Sequence, residues 1–290
     1  MHTWHWQTWQ DLPYLTCDLL EPWAHGFFTQ QFAPRYPRDL AEVLQPDVRV
    51  YRAKQVHGNT VLRANEVAPV SELTVGEASR LPLPEADGIL TQQGQQSVWV
   101  CTADCTPALI GDRRTGQVAA VHAGWRGTAE QIVPEAIAQF QQQGSDLSDL
   151  RVALGPAIAG EVYQVSEAVA VRIGATVVDA QGDREILAQL QEIPNSPLLE
   201  DPQPGRVRLD VRRAIALQLE QVGLSVARIA IAPHCTYQQP EHFFSYRRNR
   251  QKNVQWSGIV SRGSFGGNGQ RVTGRLKQRR DRIAPLNFTG

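Results

Sequence analysis

The hydrophobic and polar positions of this chain switch repeatedly between a period of two and a helical period. Short runs rich in apolar and β-branched residues at 48–56, 97–103, 117–121, 151–154 and 227–232 predict strands. Several are too continuously apolar to leave one face in water. Between them, Ile215, Leu219 and Val222 repeat at helical spacing in 211–222, with Asp210 placed to cap the start and Gly223 to end it. A second helix should follow Thr128, with Ile132, Ala136, Ile137 and Phe140 on one face and Pro134 either kinking it or moving its start. Shorter helices are predicted near 166–173 and 184–193. Trp4 and Trp6 alternate as on an edge strand packed on the core, a period that Trp9 breaks. Strands and helices mix throughout without an internal repeat, so the fold class is α+β (mixed α/β), with mixed sheets flanked by helices in a single domain over 1–260.

Two stretches depart from this pattern. Residues 67–86 contain Pro69, Pro82 and Pro84 and few large apolar side chains, which predicts a surface insertion. Residues 261–290 carry seven basic side chains against Asp281 alone, with Gly263, Gly266, Gly267 and Gly269 among them. That composition predicts a solvated, flexible tail, its functional alternative being a weak RNA or membrane-surface contact. Neither GxGxxG nor GxxxxGK[ST] spacing occurs in its glycines.

Composition changes the picture only a little. In 290 residues, 42% hydrophobic content suffices for a sizeable core. Lys+Arg and Asp+Glu both total 29, so charge gives no reason to expect nucleic acid or an anionic membrane. The first twenty residues have neither a basic leader nor a signal-length apolar run, and no segment approaches 18 apolar residues, which predicts a cytoplasmic protein. Cys17, Cys101, Cys105 and Cys235 are too scattered for a disulfide framework and read as reduced thiols.

Reactive side chains gather where strands should give way to turns: KQVHG (54–58), CTADCTP (101–107) and HAGWRG (122–127). If 97–105 stays extended, Cys101, Ala103 and Cys105 share one face and Pro107 ends the pairing soon after. His122 and His57 each follow an apolar residue and precede glycines, so both imidazoles should project from strand tips. Taken singly, a histidine or cysteine at such a place is more often packing than a ligand. Together, His57, Cys105 and His122 form a borderline-soft set that suits zinc, with one position open for catalysis. Copper is the weaker choice: the seven histidines include no HxH pair, and Met1 is the only methionine for an axial ligand.

The segments KQVHG, EADGILT (85–91), TADCTP (102–107), VHAGWRGT (121–128), LGPAI (154–158), CTY (235–237) and FFSYRR (243–248) occur in an order that resembles the YfiH family. That family is known variously as laccase-domain polyphenol oxidases, purine nucleoside phosphorylases and the peptidoglycan editing factor. The likeness spans roughly 25–248. It implies a His, Cys, His zinc site on His57, Cys105 and His122. It also implies phosphorolysis of adenosine, inosine and methylthioadenosine, with adenosine deamination through zinc-activated water as a second activity. Arg126 and Arg247 lie inside matched motifs and are the expected phosphate contacts. Asp87 is expected at the substrate, and either Asp87 or Asp104 could orient a ligand or shuttle a proton.

Two other classes stay open at this point. A metal-free cysteine hydrolase would use Cys105 as nucleophile and His122 as its base, acting on a peptidoglycan precursor. A binding protein would sequester a nucleotide or wall precursor without turnover, and its binding should survive replacement of His57.

Overall fold

Three sheets organise residues 2–70 and 83–263, the part of the chain that the computed structural model describes. The first runs in the order β1 (Trp4–Trp9), β2 (Leu12–Cys17), β3 (His25–Phe28), β15 (Gln255–Val260), β7 (Gln96–Thr102) and β4 (Arg49–Tyr51). The second runs β14 (Ile229–Ile231), β10 (Leu150–Leu154), β8 (Thr106–Asp112), β9 (Val118–Ala123), β6 (Gly88–Leu90) and β5 (Val61–Arg63). A third, smaller sheet orders β11 (Gln164–Ser166), β13 (Arg206–Leu209) and β12 (Leu198–Glu200). Both large sheets are mixed, with β4 parallel to β7, β14 parallel to β10, β5 parallel to β6, and the remaining neighbours antiparallel.

The two large sheets pack face to face, and side-chain alternation shows how. Val118 and Ala120 of β9, with Leu109 of β8, meet Val98 and Val100 of β7, Phe27 of β3 and Ile259 of β15 in the core between the sheets. The intervening residues Ala119, Val121, Ala108 and Ile110 point the other way, under the helices. Because helices cover that face, β9 is buried on both sides, and its run of Val and Ala follows. The covering helices are α2 (Trp125–Ala129), α3 (Ile132–Gln142) and α6 (Val211–Gln221), while α1 (Pro37–Leu44) covers the outside of the first sheet against Phe28, Phe32 and Trp99. The mixed α+β class predicted from the sequence is the observed one.

The elements with local signals lie close to where the sequence puts them. Asp210 accepts from the Arg213 amide as the cap of α6, and Gly223 follows with φ +92°. The helices predicted near 166–173 and 184–193 are α4 (Glu167–Gly174) and α5 (Asp183–Glu192). Pro134 does not kink the helix after Thr128. The chain forms α2, breaks at Gln131 in the left-handed region, and restarts as α3 with Pro134 in its first turn, where no intrahelical amide bond is lost. β1 is an edge strand, with Trp4 and Trp9 packed against the core and Trp6 more exposed.

Three expectations are corrected. The strand predicted at 48–56 ends at Tyr51. Extended structure does not continue to Cys105: β7 stops at Thr102, and Asp104 takes φ +91°, so Cys101 and Cys105 lie on opposite sides of a turn rather than on one strand face. Pro107 does not end pairing either, because it sits near the start of β8 opposite His122. At the insertion, Val67, Val70 and Ala86 are buried, so its ends belong to the core; 71–82 lie outside the described residues, as does the tail from 264.

Candidate metal centre

Three chain segments converge on one point, where the chain passes from β7 to β8 and the β8–β9 pair ends. Cys105 leaves the tight turn between β7 and β8, His122 is the penultimate full rung of β9, and His57 sits in the loop after β4 with φ +63°. Their ligand atoms, two ring nitrogens and one thiol, all lie within 4.8 Å of one another. The two imidazoles meet edge to face at 4.8 Å between centroids. His122 is buried, Cys105 half-buried and His57 exposed, so the group opens to solvent on one side.

Asp87 holds this arrangement. Its side chain is 0% exposed and lies 2.8 Å from Nδ1 of His122, which commits that nitrogen and leaves Nε2 for the centre. The same carboxylate accepts the backbone N–H groups of Val56, His57 and Gly58, at 2.8 to 3.1 Å. One buried carboxylate therefore fixes both histidines, one through its ring and the other through its loop. The His122 amide also donates to the Asp87 carbonyl at 2.7 Å, tying β9 to the segment that leads into β6. With every one of these contacts turned inward, Asp87 stands behind His122 rather than at the open face.

Room for the centre comes from an absent side chain. A Cβ on Gly124 would come within 2.9 Å of the Cys105 sulfur and 3.4 Å of the His57 ring. Electrostatics then favour a charged pair. Burial raises the Cys105 thiol, but the charge and hydrogen bonds of His122 and His57 outweigh it and bring the pKa down to about 6. Burial lowers His122, and the Cys105 thiolate with Asp87 overcomes it, raising the imidazole to about 9. Cys101, half-buried and without such partners, is pushed up by desolvation to about 11.

The other predicted residues surround a small hollow next to Cys105, lined by Thr106, Gly124, Trp125, Ile158 and Tyr163. Arg126 is exposed and lies over the Trp125 ring at 4.5 Å, and Arg247 lies over the Tyr163 ring at 4.8 Å. Both arginines thus stack on walls of the same hollow. Asp104 is not at its open face; its carboxylate accepts the Thr236 hydroxyl and the Arg247 amide, each at 2.7 Å, so it ties CTY and FFSYRR to the Cys105 turn. Sequence reasoning missed Gln55, Thr106 and Tyr163. The Gln55 amide bonds both the N–H and the C=O of Cys101 at 2.8 Å, and the Thr106 hydroxyl is buried on the hollow's wall without a hydrogen-bond partner. Gln55 and Thr106 stand inside quoted motifs, which was the available signal, whereas Tyr163 lies in none.

Residues 35–261 match the family model described as multi-copper polyphenol oxidoreductase laccase. The chain belongs to the YfiH family. It is 50% identical over 264 residues to the purine nucleoside phosphorylase slr1573 of Synechocystis sp., covering 89% of this chain and 97% of that one. It is 28% identical over 210 residues to adenosine deaminase RL5 of an unknown prokaryotic organism, covering 72% and 71%. The crystal structure of YlmD from Geobacillus stearothermophilus superposes with a TM-score of 0.74 at 26% identity, over 89% of this chain and 98% of that one. The relatives named here are thus a purine nucleoside phosphorylase and an adenosine deaminase within a family described as laccase-like.

Proposed function

We propose that this YfiH-family chain is a zinc-dependent purine nucleoside phosphorylase acting on adenosine, inosine and methylthioadenosine, with adenosine deamination as a second activity. The observation that carries this reading is the convergence of His57, Cys105 and His122, held by Asp87 and opened by Gly124. Two nitrogens, one sulfur and an open side fit a catalytic zinc site, and all seven histidines lie among the described residues without a second group of metal ligands. A single centre of this kind favours zinc over the several coppers of a polyphenol oxidase. When bound, the ion supplies a Lewis acid at the face of the hollow.

The chain's own residues account for the rest. In phosphorolysis a phosphate oxygen attacks the anomeric carbon, the bond from that carbon to the purine breaks, and its electron pair leaves with the base. Arg126, and Arg247 with the part of its guanidinium not bonded to the Gln164 carbonyl, offer donors over two walls of the hollow for the phosphate, and the Thr106 hydroxyl adds another from its lining. Asp87 keeps His122 in one tautomer and His57 in one loop conformation, so neither must reorganise during reaction.

A second reading has its own observation. Cys105 as a thiolate, His122 beside it and Asp87 behind form a nucleophile, base and orienting acid, the set a cysteine hydrolase needs. Metal content by mass spectrometry, measured with adenosine phosphorolysis on wild type and Cys105→Ala, separates the two. The phosphorylase reading expects about one zinc per chain, lost in the variant together with ribose-1-phosphate formation. Undiminished activity in metal-stripped wild type would replace it with the Cys105 nucleophile.

A further inference from the structure

On the outer face of the first sheet a second cavity, of about 210 Å³, opens against the start of α1. A cavity of that size takes part of a small molecule and leaves the rest in solvent, since sites that enclose a whole drug-sized ligand start at roughly 300 Å³. Phe32, Arg35, Tyr36, Lys252 and Trp256 are among its lining residues, and it shares none with the His57, Cys105, His122 centre.

Its chemistry is unlike that of the surrounding core. Tyr36 is 61% exposed, a large aromatic ring left in solvent at the rim, with its centroid 6.2 Å from that of Trp256. The Arg52 guanidinium lies 5.5 Å from the same tryptophan ring, and Arg35 lies 5.6 Å from the ring of Trp9. No carboxylate lines the cavity, and Arg35, Arg52 and Lys252 form no ion pair among the described residues. The carboxylate of Asp39, in the first turn of α1, is taken up by the Tyr36 amide at 3.2 Å. In a chain whose charges cancel overall, cations without ion pairs around one exposed ring, Tyr36, set against the buried Trp256, mark a local demand for a flat, anionic ligand.

We propose that this cavity binds a nucleoside monophosphate, its base against Tyr36 and Trp256 and its phosphate at Arg35 and Lys252. A base offers the flat face that an exposed tyrosine lacks on its solvent side, and a phosphate matches cations that have no acidic partner. The site is a local, half-open concavity rather than a basic groove tracking along the surface, which favours a single nucleotide over a nucleic-acid strand. It is separate from the reaction proposed above, in which nucleoside and phosphate enter as two molecules at the other centre.

The test is calorimetric titration of AMP into the full-length protein, compared with adenosine and with a single-stranded oligonucleotide. Tyr36→Ala and Lys252→Ala alter exposed or half-exposed positions outside the metal centre, and Cys105→Ala serves as the control for binding there. AMP should bind wild type and Cys105→Ala alike, and Tyr36→Ala should weaken it roughly tenfold to a hundredfold. Lys252→Ala should weaken it and flatten its salt dependence, and neither variant should change turnover of adenosine. The proposal is overturned if AMP gives no binding at millimolar concentration, or if binding ignores both Tyr36 and Lys252. It is equally overturned if Cys105→Ala abolishes binding, if adenosine binds as well as AMP, or if the oligonucleotide binds far more tightly. Because binding is read without turnover, this outcome does not depend on whether the protein proves to be a phosphorylase.

Discussion

At Gly124 one missing methyl group decides whether the centre has space. Its φ of −78° suits any residue, so Gly124→Ala brings no backbone strain and acts only through the Cβ that would press on Cys105 and His57. Zinc affinity and phosphorolysis should fall by the order of a hundredfold, as misplaced catalytic groups do, while the melting temperature of metal-free protein stays near wild type. Equal losses in both would show that Gly124 serves packing rather than the site. His25 makes a different kind of prediction. It accepts from the Cys17 amide and bonds the Trp23 carbonyl, and burial brings its pKa from 6.5 down to about 4. Between those values the unfolded chain binds a proton that the folded chain refuses, so stability should fall as pH drops from about 6.5 towards 4, by up to roughly 3 kcal/mol. Urea denaturation of wild type and His25→Gln at pH 7.5 and 4.5 checks this, since the variant should lose that part of the decline. The histidines and cysteine of the centre were legible from motif and residue type. That Asp87 or Asp104 could orient a ligand was legible too, but not that Asp87 grips 56–58 as well as His122, because those contacts join segments about thirty residues apart.

Elements with their own start and stop signals could be read, and those defined by their neighbours could not. Asp210 and Gly223 mark α6 within the helix itself. By contrast, β8 begins with Thr-Pro and ends with Gly-Asp, which look like turns, and becomes a strand because β9 and β10 pair with it on both sides. β15 carries Gly258 in its middle, and that glycine is required because the ring of Trp99 passes where a Cβ would stand, 2.4 Å away. The β1–β2 hairpin turns through Gln10 and Asp11, both at positive φ, without the Asn-Gly or Asp-Gly pair that would announce it. The turn between β7 and β8 matters most for function, and Asp104 is its hinge. Asp104→Ala would leave the Arg247 amide without its acceptor and free Thr236, costing about 1–3 kcal/mol in stability. With Arg247 less well placed, KM for phosphate should rise more than kcat falls, and zinc content should remain that of wild type. Loss of zinc in Asp104→Ala would mean that the turn positions Cys105 more than it positions Arg247.

Over the whole molecule, the centre joins parts that are distant in the chain and belong to different layers. His57 follows a strand of the first sheet, His122 belongs to the second, and Cys105 stands at the turn that passes from one to the other. An ion held by all three therefore clamps the two sheets at one end of their interface, and it can do so only in the folded chain. Binding confined to the native state stabilises it by about 2.7 kcal/mol when free ion exceeds its dissociation constant a hundredfold. In a domain of this size each kcal/mol is worth roughly 2–4 °C, so added zinc should raise the melting temperature by several degrees and a chelator should reverse it. Cys105→Ala should show almost none of this shift, because two imidazoles without the thiolate hold the ion far less tightly. A melt of both proteins, with zinc and with chelator, decides between the readings at the level of the fold. An equal shift in the variant would place the ion elsewhere, and no shift in either would leave the three side chains as a thiolate and its histidines, working without a metal.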